Sequence, residues 1–226
     1  MAVVRGLVLR YVVRAGLLVT IVTTGAAGVA DVPLPRPPAG ASATVLVRGQ
    51  GRYALGSPRA RVVIVEFSDY QCPFCRQHQE GVFPQLKADY VDTGKVRYVV
   101  RDLPLDIHSQ AFAAAEAARC AGSAGKFWAM RKALFTEHGR LDGARLLALA
   151  RAAGVPGADF KACLDEHRFA AGVRRDLAAA AAAGLSVTPT FVIGTAGPRG
   201  ITGVLLAGAR PYAAFAQRIE QALHTP

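Results

Sequence analysis

The sequence has little of what nucleic-acid-binding, repeat and metal-binding proteins need. The formal net charge is +11, but no block of Lys and Arg interleaved with aromatic residues is present. A nucleic-acid interface is therefore not expected. No internal repeat is found, and nothing in the motifs calls for a cofactor. We also predict no resident metal, since four of the histidines lack the spacing of metal ligands. These are His108, His138, His167 and His224.

The first thirty residues also lack an apolar run long enough for a typical membrane span. Residues 15–30 carry no charge, but sixteen residues are short of the roughly 20 that cross a bilayer. Arginines precede this run and small residues end it, as in an export signal. We expect residues 1–30 to be a signal peptide or, if uncleaved, a membrane anchor. In both cases the folded part is exported, and its location is periplasmic or otherwise extracytoplasmic.

The most informative pattern is Cys72-Pro73-Phe74-Cys75. It follows an apolar, β-branched run at residues 61–67 and opens a predicted helix, where proline is well tolerated. The positive end of the helix dipole favours the thiolate of Cys72. We therefore predict an exposed, low-pKa Cys72 that exchanges disulfides and a shielded Cys75 that resolves the mixed disulfide.

Three other functions of the cysteine pair have to be considered. Together with His78 it forms the spacing of a zinc knuckle, although no fourth ligand lies near in the sequence. Haem attachment would need histidine where Arg76 stands. A purely structural disulfide is the remaining alternative.

Glu66 stands six residues before the first cysteine, inside the apolar run. A carboxylate there should be at least half buried, with a raised pKa. Its position on the strand predicts a proton relay that takes the proton of Cys75 during exchange. The alternative is that Glu66 faces solvent or forms a salt bridge with Arg101.

The hydrophobic pattern predicts the order β-α-β, a block of helices, then β-β-α. This is an α/β fold with a mixed sheet that an all-α insertion interrupts once. The helix that begins at the cysteines should be bent or broken around Gly81 and Pro84.

Three segments, at residues 55–75, 120–128 and 184–193, resemble the DsbA-like family of exported thiol–disulfide oxidoreductases. The resemblance extends over residues 53–223 and implies a thioredoxin fold. It also implies that Pro189 is the family's cis-proline, with the backbone of Thr188 free to bind an extended client, and that Glu66 is the buried acid. By itself, proline at the start of a strand is an ordinary edge feature.

The composition of the N-terminal part and the resemblance together give the expected domains. These are a leader (1–30), a Pro/Ala-rich tether and N-terminal extension (31–52), a thioredoxin-like domain (53–103 and 187–226) and an inserted helical domain (104–186). The remaining cysteines, Cys120 and Cys163, lie on apolar faces of two predicted helices of the insertion. In an exported protein we expect them to form a structural disulfide; a second redox-active pair is the alternative.

The expected function is the oxidation of reduced, exported client proteins by the Cys72–Cys75 disulfide. A membrane partner linked to quinone would then reoxidise the protein, as the resemblance implies. Two departures leave the redox direction open: the family's strongest oxidants have histidine at Phe74 and valine at Thr188. The alternatives are a disulfide isomerase or reductase, and a thioredoxin-fold chaperone or metal-delivery module.

Overall fold

A computed structural model describes residues 44–48 and 51–224 of the chain. The predicted leader and most of the predicted tether lie outside these residues. Within the described part, no helix combines the length and the apolar character that a membrane crossing requires.

Six strands form one mixed sheet in the order β1-β6-β5-β3-β4-β2. The central pair, β3 and β4, is parallel, and every other neighbouring pair is antiparallel. The predicted α/β class with a mixed sheet is therefore confirmed. The strands are β1 Thr44–Arg48, β2 Tyr53–Leu55, β3 Val62–Ser68, β4 Val96–Asp102, β5 Thr190–Gly197 and β6 Gly200–Ala207.

Helices follow β3, fill the long connection between β4 and β5, and close the described part of the chain. After β3 come α1 Pro73–Gln77, a π-helical turn His78–Val82, α2 Phe83–Leu86 and a second π-helical turn Lys87–Val91. The connection holds α3 Ala111–Ser123, α4 Phe127–Thr136, α5 Gly143–Ala152, α6 Gly157–Asp165 and α7 Ala170–Ala182. The last helix is α8 Tyr212–His224.

Of the two outcomes predicted around Gly81 and Pro84, the break in the helix is wrong, and the bend stays a prediction. The backbone stays helical through Val82 (φ −101°, ψ −42°) and Phe83 (φ −57°, ψ −40°). Pro84 supplies no N–H, and its ring crowds the carbonyl four residues earlier. That carbonyl belongs to Glu80, which lies inside the first π-helical turn. The wider turn accommodates the proline, so the helix continues.

Strand alternation divides the apolar side chains of the sheet between two cores. In β3, Val62 and Ile64 join the larger core, which also contains both Cys72 and Cys75. Val63 and Val65, in contrast, pack on the other face beneath α7. Since alternate residues share a face, Glu66 lies on the same face as Ile64 and the cysteines.

A disulfide joins Cys120 of α3 to Cys163 of α6, with their Cα atoms 5.9 Å apart. Both cysteines are buried in the larger core. The bond therefore links two of the helices that lie between β4 and β5.

Candidate active site

The end of β3 and the start of α1 bring the two cysteines of the motif together. Cys72 has an extended backbone (φ −72°, ψ 121°) directly before α1, and Pro73 occupies the first turn. The Cys72 carbonyl accepts the first hydrogen bond of the helix, from Arg76 N at 3.2 Å. Both cysteines are free thiols. Cys75, one turn inside, is fully buried.

Cys72 is less exposed than predicted, with only 5% of its surface accessible. The loop before β5 covers it: the Thr188–Pro189 peptide bond is cis. Cys72 Sγ lies 3.4 Å from the Thr188 carbonyl oxygen, to which it donates a hydrogen bond when it is protonated. On the far side, the Pro189 carbonyl accepts a bond from Gly208 N at 2.8 Å, which ties this loop to the end of β6. The structure therefore places Cys72, Thr188 and Pro189 in one site.

The two thiols have opposite acidities. A hydrogen bond from the Cys75 thiol is the main cause that lowers the pKa of Cys72, to about 5, against the opposing effect of burial. The Thr188 side chain and the backbone N–H groups of Cys75 and Phe74 also lower the pKa of Cys72. Burial, with the adjacent Cys72, raises the pKa of Cys75 well above its usual value. Cys72 is therefore the thiolate of the pair and Cys75 the thiol.

Glu66 is fully buried, but its surroundings differ from those predicted. Arg131 of α4, itself 1% exposed, donates from Nη2 to Glu66 Oε2 at 2.6 Å and to Oε1 at 2.8 Å. Tyr98 of β4 donates to Oε2 at 2.6 Å. Burial alone would raise the pKa of Glu66, but Arg131 and these hydrogen bonds hold it below its usual value. The expected raised pKa is wrong, and so is the alternative partner Arg101.

His78 extends the same network beneath α1. Its Nε2 lies 3.0 Å from the Tyr98 hydroxyl. Since Tyr98 gives its proton to Glu66, the histidine must be the donor in that contact. Burial lowers the pKa of His78 to about 4, so the ring is neutral near pH 7. Among the residues described, no group of three potential metal ligands is assembled, at His78 or elsewhere.

Asp69 fixes the turn that presents the cysteines. Its backbone N–H donates to Cys75 Sγ at 3.5 Å, and its Oδ1 accepts from Gln71 N at 2.7 Å. Oδ2 accepts from Leu105 N and contacts His108 Nδ1, both at 2.8 Å. His108 therefore belongs to the loop that supports the site.

Sequence reasoning missed Arg131, Tyr98 and His78 as a connected group. Arg131 had a usable signal, because it stands four residues after Phe127 and three before Leu134, on the apolar face of α4. A charged residue at such a position needs a buried partner. Its partner is 65 residues away in sequence, so no local pattern identifies it.

Comparisons with known proteins agree with this geometry. A family model described as "Thioredoxin" matches residues 49–197. One relative, Na(+)/H(+) antiporter NhaA 1 of Salinispora arenicola, is 37% identical over 139 residues, covering 61% of this chain and 21% of the antiporter. A Rickettsia prowazekii protein named as a protein-disulfide oxidoreductase is 28% identical, over 52% of this chain and 44% of its own length. The chain thus spans less than half of either relative.

Solved structures show the same fold. BdbD from Bacillus subtilis superposes with a TM-score of 0.68 at 24% identity, over 80% of this chain and 100% of BdbD. A thioredoxin-like oxidoreductase from Silicibacter pomeroyi gives a TM-score of 0.64 at 28% identity, over 77% of this chain and 93% of its own. The first comparison supports the fold alone.

The acidity of Cys72 predicts a thiolate signal in the reduced protein. Absorbance at 240 nm should rise with a midpoint near pH 5, because Cys72 ionises there, whereas an unperturbed thiol titrates at about 8.5. The pKa of Cys72 is lower in the folded than in the unfolded protein. The reduced form therefore gains stability relative to the oxidised form as the pH rises from the folded to the unfolded value. This gain is complete above about pH 8.5 and is lost as the pH falls through 5. Cys72→Ser should abolish the step; a wild-type midpoint above pH 8 would contradict the assignment.

The buried ion pair predicts strong coupling between its two members. Arg131→Met leaves Glu66 buried without its cation, which should cost about 3–5 kcal/mol of unfolding free energy. The double variant Glu66→Leu/Arg131→Met should cost less than the sum of the single changes, as measured by urea unfolding. Lys132→Met, an exposed change on the same helix, is the control. Additive single effects would show that the pair is not coupled.

Proposed function

The chain belongs to the thioredoxin family, and from this premise we propose that it is an exported, DsbA-like thiol–disulfide oxidoreductase. Its Cys72–Cys75 disulfide would oxidise reduced cysteines of exported client proteins. One observation carries the proposal: a low-pKa Cys72 lies against the carbonyl of Thr188, next to the cis-proline, with a protonated Cys75 one turn below it.

The proposed exchange follows from the order of acidities. A client thiolate attacks Cys72 Sγ of the oxidised protein, the Cys72–Cys75 bond breaks, and Cys75 leaves as a thiolate that takes up a proton. A second client thiolate then attacks the client sulfur of the mixed disulfide. The client disulfide forms, and Cys72 leaves as a thiolate. Its low pKa makes it a good leaving group in that last step. The client is oxidised by two electrons, and the protein becomes the dithiol.

The acidity of Cys72 also supports the oxidising direction. Whatever stabilises the Cys72 thiolate stabilises the reduced protein, and a stable reduced form makes the disulfide a stronger oxidant. Phe74 lies between the cysteines, is 58% exposed and has no polar group to add to this effect. The couple should therefore be oxidising, but less so than the strongest oxidants of the family. Under this proposal a quinone-linked membrane partner restores the disulfide.

Trapping experiments test the exchange itself. Cys75→Ser leaves Cys72 without its resolving partner. The Cys72 thiolate of this variant should attack a disulfide of a client such as scrambled ribonuclease, from which one client sulfur leaves as a thiolate. The resulting mixed disulfides should accumulate and be visible on non-reducing gels. Cys72→Ser should form none and should lose oxidase activity. If the protein acts only as a chaperone or as a metal carrier, neither variant will trap the client, and suppression of client aggregation or metal content will be the activity that remains.

The equilibrium reduction potential tests the direction. Equilibration with glutathione should place the Cys72–Cys75 couple between about −120 mV, typical of a dedicated oxidant, and about −270 mV, typical of a reductase, on the oxidising side of that interval. Phe74→His should shift the potential towards the oxidising limit, because it adds a donor beside the Cys72 thiolate. A wild-type potential at or below the reductase value would favour a reductase or isomerase instead.

A further inference from the structure

A cavity of about 640 Å³ lies between α7, the end of β4 and residues Arg48, Gly51 and Arg52. Neither cysteine of the redox site lines it, and Asp176 is its only acidic lining residue within the described part of the chain. Its basic lining consists of Arg48, Arg52, Arg101, Arg119, Arg168 and Arg175. Arginines from distant parts of the chain thus surround one space.

The inner arginines are already neutralised. Arg101 Nε pairs with Asp176 Oδ1 at 2.7 Å, and Arg119 Nε pairs with Asp102 Oδ2 at 2.5 Å. Arg119 Nη2 also bonds to the other oxygen of Asp176. These four side chains are buried and have no net charge when both carboxylates are ionised. They form the buried floor of the cavity, and their carboxylates are already paired, so the outer arginines are not compensated by them.

The outer arginines have a surplus of positive charge. Arg48, Arg52 and Arg175 are exposed, and no acidic group of the described residues forms a salt bridge with any of them. Arg168 differs, since its Nε pairs with Glu166 at 2.7 Å. Like charges held around one cavity repel each other. A bound anion would relieve that repulsion.

Two further features shape the cavity. Arg52 lies with its guanidinium carbon 5.9 Å from the centre of the Phe169 ring, which restricts its position. A Cβ on Gly172 would lie 2.5 Å from Arg119 Nη1. The missing side chain at this residue therefore lets the buried guanidinium reach the surface of α7 within the cavity.

We propose that this arginine cavity binds a phosphate-bearing anion. Guanidinium groups match the geometry of phosphate oxygens and can bind them through paired hydrogen bonds. Three uncompensated cations suit a ligand with more than one negative charge. The volume exceeds the need of a single inorganic ion and falls in the range of organic ligands, about 300–1,000 Å³. A soluble phosphate ester and a phospholipid headgroup share this chemistry.

Isothermal titration of the full chain with inorganic pyrophosphate, in metal-free buffer, tests the proposal. Arg52→Gln/Arg175→Gln should weaken binding about tenfold or more, because two charged donors are lost. The matched control is Arg174→Gln/Arg199→Gln, which removes the same charge from exposed sites outside the lining and should bind like the wild type. Circular dichroism checks that both variants fold. No saturable binding to the wild type, or equal weakening in both variants, would overturn the proposal.

Two further titrations are needed. The first distinguishes a lipid headgroup from a soluble phosphate as the ligand, and the second tests anion binding independently of the redox function. Dihexanoyl phosphatidylglycerol, below its micelle concentration, presents a lipid headgroup: tighter binding of it than of pyrophosphate, lost with the cavity arginines, would identify a membrane lipid. Tighter pyrophosphate binding would identify a soluble phosphate. Cys72→Ser/Cys75→Ser should bind as well as the wild type, so a failure of the redox proposal leaves this one standing.

Discussion

The buried ion pair between Glu66 and Arg131 is the interaction on which the arrangement of the active site depends. Glu66 belongs to the central strand β3, and Arg131 belongs to α4. The 2.6 Å contact therefore fastens the sheet to the helices inserted between β4 and β5, directly beneath the cysteines. Each charge would be costly to bury alone. The two segments must pack together for either charge to be compensated, which ties the position of α4 to the position of β3.

This pairing also influences the cysteines. Arg131 keeps Glu66 ionised, and a negative charge on that face disfavours a second one nearby. Burial is the main reason that the pKa of Cys75 is raised, and the Glu66 carboxylate adds to it. A protonated Cys75 then has a proton to donate to Cys72, which is the main cause that lowers the pKa of Cys72. The difference in acidity between the two thiols is thus a property of the buried network as well as of the helix end. A carboxylate held ionised by arginine is also a poor acceptor for the Cys75 proton, so we place Glu66 in a supporting role.

Local patterns were sufficient where a residue's surroundings are set by its neighbours in sequence. The β-branched run at residues 61–67 indicated the strand β3, and Pro73 indicated the first turn of α1. Alternation along β3 also places Glu66 on the face of the cysteines. The conformation of Pro189, in contrast, was expected only from the family resemblance. The partner of Glu66, the cover over Cys72 and the role of His108 depend on contacts between residues far apart in the chain, which no local pattern contains. The π-helical turn before Pro84 was missed because a proline signal does not distinguish a break from a wider turn.

The distribution of charge also depends on contacts between residues that are far apart in the sequence. Basic residues are scattered along the chain with no block among them, which correctly argues against a linear basic segment. Folding nevertheless gathers arginines from residue 48 to residue 175 around one cavity, because β1, β4, α3 and α7 meet there. On the cysteine face the buried arginine has a carboxylate of its own, whereas around the cavity the arginines outnumber the carboxylates. Neither cysteine lines this cavity, and its arginines are not among the main causes of the low pKa of Cys72. That acidity must come from short-range hydrogen bonds at the site itself.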